Sequence, residues 1–226
     1  MNRPFTFINS AMSADGKLST KERKQVKISG SVDFDRVDEL RATSDAVMVG
    51  IGTVLADDPS LTVKSEERRE ARKAAGLEEN PMRIVVDSRA RIPIDADIFK
   101  KGNGTRIIAV SNSAPSERIA ALKEKAVILT AGEERVDLYE LAGKLKEMGI
   151  NRLMIEGGAS LNWAMISNGL VDEIYCFVGN LIIGGATSPT FVDGIGFAES
   201  EVMKLELKSV EKIEDGVLLK WRVGGR

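Results

Sequence analysis

Residues 45–59 read Asp45-Ala46-Val47-Met48-Val49-Gly50-Ile51-Gly52-Thr53-Val54-Leu55-Ala56-Asp57-Asp58-Pro59. The first six predict a strand, Asp45–Gly50, because a short valine-rich run with no polar alternation suits a strand buried on both faces. Gly50 and Gly52 follow at its carboxyl end, where open parallel sheets bind ligands and where a missing Cβ lets the backbone approach one closely. Thr53 adds a hydroxyl donor, and Asp57 can accept from a ribose hydroxyl or an amide. An ordinary tight turn with a capping threonine explains the same glycines equally well, and the third glycine of the dinucleotide fingerprint is missing.

Working outward, runs of strand length recur at Phe5–Ala11, Arg83–Asp87, Arg106–Val110, Ala126–Leu129 and Arg152–Ile155. Helical patterns lie between them. Ser31 is placed to cap a helix with Phe34, Val37 and Leu40 as its buried stripe. Ser65–Gly76, Ser116–Lys125, Asp137–Met148 and Ala159–Leu170 follow, the third of these with Leu138, Leu141 and Leu145 on one face. Glu173–Ile183 reads as one long strand. Met203–Ile213 and Val217–Val223 flank Glu214-Asp215-Gly216, whose Asp-Gly pair is a hairpin signal. These elements predict an α/β fold with a mainly parallel sheet, a C-terminal antiparallel hairpin and a single domain over 1–226.

Two further clusters sit just after strand runs. Glu156-Gly157-Gly158-Ala159-Ser160 opens a helix, whose N-terminal amides and dipole suit a pyrophosphate. A glycine-rich helix start with a capping serine is the plainer reading. Asp87-Ser88-Arg89-Ala90-Arg91 puts a hydroxyl and two arginines at a strand end, which suits a phosphate such as the 2′-phosphate of NADP. A solvated surface turn fits as well. The Asp15-Gly16 pair and Gly184-Gly185 read as turns, and Trp163 and Trp221 as packing residues.

Composition limits the chemistry. Of 226 residues, 43% are hydrophobic and 29% charged, enough apolar surface for a globular core. Lysine and arginine (32) nearly balance aspartate and glutamate (34), which argues against nucleic acid as a partner. There is no histidine and one cysteine, Cys176, inside an apolar run, so disulfides within the chain, histidine-dependent triads and histidine-ligated zinc are excluded. No run approaches the ~20 apolar residues of a membrane span, and the N-terminus lacks a signal-peptide core. A cytoplasmic protein without a membrane partner is expected.

Read in order, S-A-D-G-K at Ser13–Lys17, R-V-D-E-L-R at Arg36–Arg41, the block Asp45–Val63, R-I-V-V-D-S at Arg83–Ser88, E-G-G-A-S-L-N-W at Glu156–Trp163 and G-L-V-D-E-I at Gly169–Ile174 resemble the riboflavin-pathway reductase family over essentially the whole chain. The resemblance implies a dihydrofolate-reductase-like fold, a homodimer, and reduction of a phosphorylated ribosylamino-pyrimidine, the diamino form being favoured over the deaminated one. It implies NADPH as cofactor, with tolerance of NADH left open. Ala11, Thr53, Asp57, Ser88, Gly157, Gly158, Ala159 and Ser160 match positions that hold the cofactor, while Arg41, Leu61 and Glu156 match substrate-contacting positions. Arg89 and Arg91 are assigned to the 2′-phosphate from charge and spacing alone. Lys64 stands where bacterial relatives usually carry arginine; it can attract the substrate phosphate but lacks the bidentate fork. Glu156 is the candidate catalytic group. The bacterial relatives' zinc deaminase domain needs a His/Cys/Cys set that this sequence lacks.

Overall fold

The computed structural model describes residues 2–224. In chain order the elements are β1 (Phe5–Met12), α1 (Ser31–Ala42), β2 (Ala46–Gly50), α2 (Ile51–Asp57), α3 (Glu66–Ala74), β3 (Met82–Val86), α4 (Asp97–Lys100) and β4 (Arg106–Val110). They continue with α5 (Ser116–Lys123), β5 (Val127–Thr130), α6 (Leu138–Glu147), β6 (Arg152–Ile155), α7 (Ala159–Ser167), β7 (Glu173–Val178), β8 (Leu205–Ile213) and β9 (Gly216–Val223). The chain forms two compact units. One holds Asp38–Met154 with residues 2–4; the other holds Phe5–Val37 and residues 155–224.

In the first unit the strand order is β5-β4-β3-β2-β6. Strands β2 to β5 pair in parallel, with Met48 opposite Ile84, Ile84 opposite Ile107 and Ile107 opposite Val127. Val47, Met48, Ile84, Val85, Ile107 and Ile108 are essentially inaccessible, which is why their runs show no polar alternation. Each such side chain contributes about 1.5–3 kcal/mol by leaving water. Helix α6 buries the expected stripe, Leu138, Leu141 and Leu145. Asp137 caps it, accepting from the amides of Tyr139 and Glu140.

The second unit has the order β1-β7-β9-β8. β1 and β7 are parallel, with Phe7 opposite Glu173 and Met12 opposite Val178, and β9 runs antiparallel to both β7 and β8. Three expectations are corrected here. The strand expected over Glu173–Ile183 ends at Val178, because Gly179 meets the chain at Ile28 so tightly that a Cβ there would lie 2.5 Å from the Ile28 carbonyl oxygen. The hairpin turn is Glu214-Asp215, one residue earlier than Asp-Gly. Glu214 takes the left-handed conformation (φ 50°), while Gly216 is already paired in β9, where a Cβ would strike the Phe177 ring at 2.2 Å.

The third correction concerns α1. Ser31 is its first residue, and its hydroxyl donates to Glu214 Oε1 (3.3 Å) rather than capping the helix. Phe34 is 54% exposed, whereas Asp33 and Asp38 are buried. Buried carboxylates need partners, and both have them. Asp33 accepts from Arg36 Nε (2.8 Å), whose Nη1 donates to Asn9. Asp38 accepts from the backbone amides of Lys64 and Ser65 and from Arg68.

Candidate functional site

In the first unit, β2 runs straight into α2, so the Gly50–Pro59 stretch is a helix start and not a loop. Gly50 is its N-cap in extended conformation (φ −80°, ψ 152°), with no side chain bonding the first turn. Ile51 and Val54 face the core, Thr53 sits in the first turn, and a Cβ on Gly52 would meet nothing within 4 Å. Such an open, uncapped helix start can accept an anion or hydroxyl. Asp57 ends the helix, and partial burial raises its carboxyl pKa above the ordinary value.

The chain then turns through Leu61, a non-glycine residue in the left-handed region (φ 54°) with its side chain buried. A substrate contact at Leu61 therefore falls to its backbone or to the surface it props up. On either side of it, Ser60 Oγ and Thr62 Oγ1 lie 3.1 Å apart, and Lys64 Nζ donates to both at 2.9 and 2.8 Å. Arg41 Nη1 donates to the Thr62 carbonyl at 3.1 Å. The structure thus brings Lys64 onto two hydroxyls with Arg41 on the backbone carbonyl beside them, a grouping of cations and hydroxyls that can bind a phosphate. Desolvation first, then the charges of Arg41 and Lys101, pull the Lys64 pKa down; Asp38 opposes them.

Ser88, Arg89 and Arg91 share the turn after β3, but two are already engaged. The Asp87 carboxylate is buried, accepts the Ile92 amide (2.8 Å) and holds Arg91 Nε (3.4 Å). Ser88 Oγ accepts from the Val136 amide (3.0 Å). Arg89 is exposed.

In the second unit, Glu156 leaves β6 half-buried and leads into Gly157 (φ 90°) and Gly158, joined by a cis peptide. Gly158 is the N-cap of α7 and no side chain caps that end. Asn162, missed in the sequence, lies behind it fully buried: its Nδ2 donates to the Phe191 carbonyl (2.9 Å), while its Oδ1 has no partner. A Cβ on Gly157 would sit 3.8 Å from that oxygen. Trp163 packs on Phe197, ring centroids 4.7 Å apart, in keeping with a packing role. Ala11 lies opposite Phe177 in the sheet.

Asp15, read as a mere turn residue, is a hub. It accepts from Ser13 Oγ (2.5 Å) and from the amides of Ile183 (3.1 Å) and Gly184 (2.7 Å), and these bonds hold its pKa near about 2. The loop that carries Lys17 is thereby tied to the Gly184 turn, and Lys17 Nζ donates to the Ser188 carbonyl. No local pattern in the sequence announces this, since the partners lie 168 and 169 residues apart. Cys176 is buried, its thiol pushed up to about 12 by desolvation, and is a core residue as expected. Among the described residues there is no cluster able to hold a metal and no helix long and apolar enough to cross a membrane.

Residues 4–219 match the family of the RibD C-terminal domain. The chain is 50% identical over 214 residues, 95% of each chain, to the 2,5-diamino-6-ribosylamino-4(3H)-pyrimidinone 5′-phosphate reductase of Archaeoglobus fulgidus. Acinetobacter baumannii RibD matches it in structure with a TM-score of 0.81 at 24% identity, over 100% of this chain and 59% of that one. Dihydrofolate reductase from Enterococcus faecalis matches with a TM-score of 0.50 at 11% identity, over 98% and 97%. The last two matches bear on the fold alone, and they agree with the dihydrofolate-reductase-like α/β architecture expected.

Proposed function

Since the chain belongs to the RibD C-terminal domain family, we propose that it is the reductase of riboflavin biosynthesis that converts the ribosyl group of 2,5-diamino-6-ribosylamino-4(3H)-pyrimidinone 5′-phosphate to a ribityl chain with NADPH, the whole of 1–226 serving as one catalytic domain. The observation that carries this reading is the grouping of Arg41 and Lys64 at Ser60 and Thr62, a cationic, hydroxyl-rich cluster suited to a sugar phosphate. The half-identical relative bears that substrate in its name.

The residues fit a dinucleotide. The uncapped N-terminus of α7 with the buried, unpartnered Asn162 Oδ1 behind it suits a pyrophosphate, and Ala11 with Gly157, Gly158, Ala159 and Ser160 would line that part of the cofactor. Thr53, Asp57 and Ser88 would hold its remaining polar groups, with the exposed Arg89 and Arg91 toward the 2′-phosphate. Arg91 would reach it through its Nη groups while its Nε stays on Asp87. When bound, NADPH supplies the hydride for C1′ of the sugar.

The chain's own task is to position and to move protons. Opening the ribosylamine ring transfers a proton to the ring oxygen and leaves an imine between C1′ and the exocyclic nitrogen; reduction at C1′ then requires one proton at that nitrogen. Glu156 is the carboxylate assigned to orient the sugar hydroxyls or relay one of these protons, and Arg41, Leu61 and Lys64 position the substrate. Glu156→Gln should cut kcat at least tenfold with NADPH affinity unchanged; an unaltered kcat would remove the assignment.

We further propose a homodimer, cytoplasmic, with neither nucleic acid nor membrane as partner. The C-terminal hairpin supports the dimer: Leu207 and Val210 are 54% and 61% exposed, and the bulge between Leu207 and Ser209 keeps them on one face with Leu205. Light scattering of Val210→Lys should show loss of the dimer. The deciding experiment is NADPH oxidation by the purified protein with the diamino substrate, its deaminated analogue alongside. Turnover of the first is expected. Preference for the second would move the reaction after deamination, and tight NADPH binding without turnover would leave a non-catalytic NADP-binding protein.

A further inference from the structure

A phosphate monoester is dianionic near neutral pH, and Lys64 lacks the fork of an arginine, so a further cation beside the Ser60–Thr62 hydroxyls would strengthen the grip. One lies beside it. Arg83 Nη1 donates to the carbonyls of both Ser60 (3.3 Å) and Lys101 (2.7 Å), placing the two residues on a single guanidinium. Gly102 presses against Thr62: a Cβ on it would come within 2.6 Å of Thr62 Cγ2. The chain leaving α4 is therefore packed against the methyl of Thr62, whose hydroxyl belongs to the pair, and the charge of Lys101 is felt at Lys64. The Lys101 side chain is 60% exposed and pairs with Asp97 one turn back, while the Asp97 amide is anchored on the Asp58 carboxylate (2.9 Å).

We propose that Lys101 is a third cation for the substrate's 5′-phosphate, exchanging Asp97 for the phosphate at the Ser60–Thr62 hydroxyls and supplying charge and reach that Lys64 alone does not. This rests on the reductase reading above. An exposed lysine–aspartate pair at four-residue spacing contributes little to stability, so the dianion competes against a weak partner. Arg41 would grip from α1 and Lys64 from the loop between α2 and α3; Lys101 adds a donor from the loop that Arg83 holds in place.

The test compares Lys101→Gln with Asp97→Asn. A lysine that only braces the helix end makes the two variants equivalent, with equal falls in melting temperature and unchanged phosphate binding. A phosphate-binding lysine makes them diverge. Lys101→Gln should weaken ribose 5-phosphate binding, measured by calorimetry, about tenfold, the equivalent of one charge-assisted hydrogen bond. It should raise KM for the phosphorylated substrate by a similar factor, leave kcat within about twofold and leave KM for the dephosphorylated nucleoside unchanged. Asp97→Asn, which frees the lysine, should bind ribose 5-phosphate as well as the wild type or better. Equal losses on both substrates, unaltered phosphate binding in Lys101→Gln, or weakened binding in Asp97→Asn would each overturn the proposal. Because ribose 5-phosphate binding is read without turnover, a wild type that binds it yet oxidises no NADPH would refute the reductase reading alone.

Discussion

Replacing Arg83 with methionine would delete a guanidinium that holds a cage of carbonyl oxygens. Its Nη1 donates to Ser60 and Lys101, and its Nη2 to Gly102 (3.2 Å) and Asn103 (3.3 Å). Hydrogen bonds from a charged donor contribute about 1.5–3 kcal/mol each, so four amount to roughly 6–12 kcal/mol. Against this stands burial: the side chain is inaccessible, and desolvation, helped by the nearby Arg106, lowers its pKa from 12.5 to about 10. The folded state thus disfavours the charged form, by about 3 kcal/mol at about 1.4 kcal/mol per pH unit. Methionine recovers that penalty and fills part of the volume, leaving a net loss of about 3 kcal/mol or more. For a chain of this size each kcal/mol moves the melting point by about 2–4 °C, so thermal unfolding followed by circular dichroism should show a fall of roughly 6–12 °C at neutral pH. Arg83→Lys keeps the charge without the fork and should recover less than half of it. A methionine variant melting within about 2 °C of the wild type would show that the 101–104 loop holds itself and that Arg83 is a passenger.

Gly216→Ala should destabilise by about 1–3 kcal/mol through overpacking on Phe177 and on the Val178 carbonyl, and a denaturant midpoint equal to the wild type's would refute that contact. Asp15 has a folded pKa of about 2 against an ordinary 3.8. Its contribution to stability is therefore complete above about pH 4 and lost as pH falls through about 2. Asp15→Asn should flatten the acid limb of the stability curve in that window and change little above it. With its thiol pushed up to about 12, Cys176 should resist a thiol reagent at pH 8 until denaturant unfolds the chain; rapid labelling of the native protein would contradict the burial.

The strands of the parallel sheet were readable because burial on both faces leaves a local mark, an unbroken run of Val, Ile and Met. Helix α2 was not, since Gly50 and Gly52 disfavour helix in isolation and only the packing of Ile51 and Val54 secures it. The stripe on α1 failed for a related reason. Its buried positions are carboxylates: Asp33 is paired with Arg36 on the same helix, while the 64–65 amides that Asp38 accepts from lie 26 and 27 residues away, so periodicity selected Phe34 instead. At the candidate site, Arg41, Leu61, Lys64 and Glu156 could be placed by motif. Ser60 and Thr62 lie inside the Asp45–Val63 block, but their meeting with Lys64, like the place of Lys101, emerges only from geometry, and the Asp15 hub depends on a turn far along the chain.

The second unit is assembled from two separate stretches, Phe5–Val37 and residues 155–224, with Asp38–Met154 of the first unit between them. On the ribosome this sets an order of events. β1 is made before Asp38–Met154, but its partner β7 begins only at Glu173, roughly 10–30 s later at ordinary rates of synthesis. In that interval Asp38–Met154 can complete its parallel β2–β5 pairing while Phe5–Met12 waits for β7, a nascent apolar strand open to chaperones or to a neighbouring chain. Pulse proteolysis of stalled nascent chains would then find Asp38–Met154 protected before Phe5–Met12.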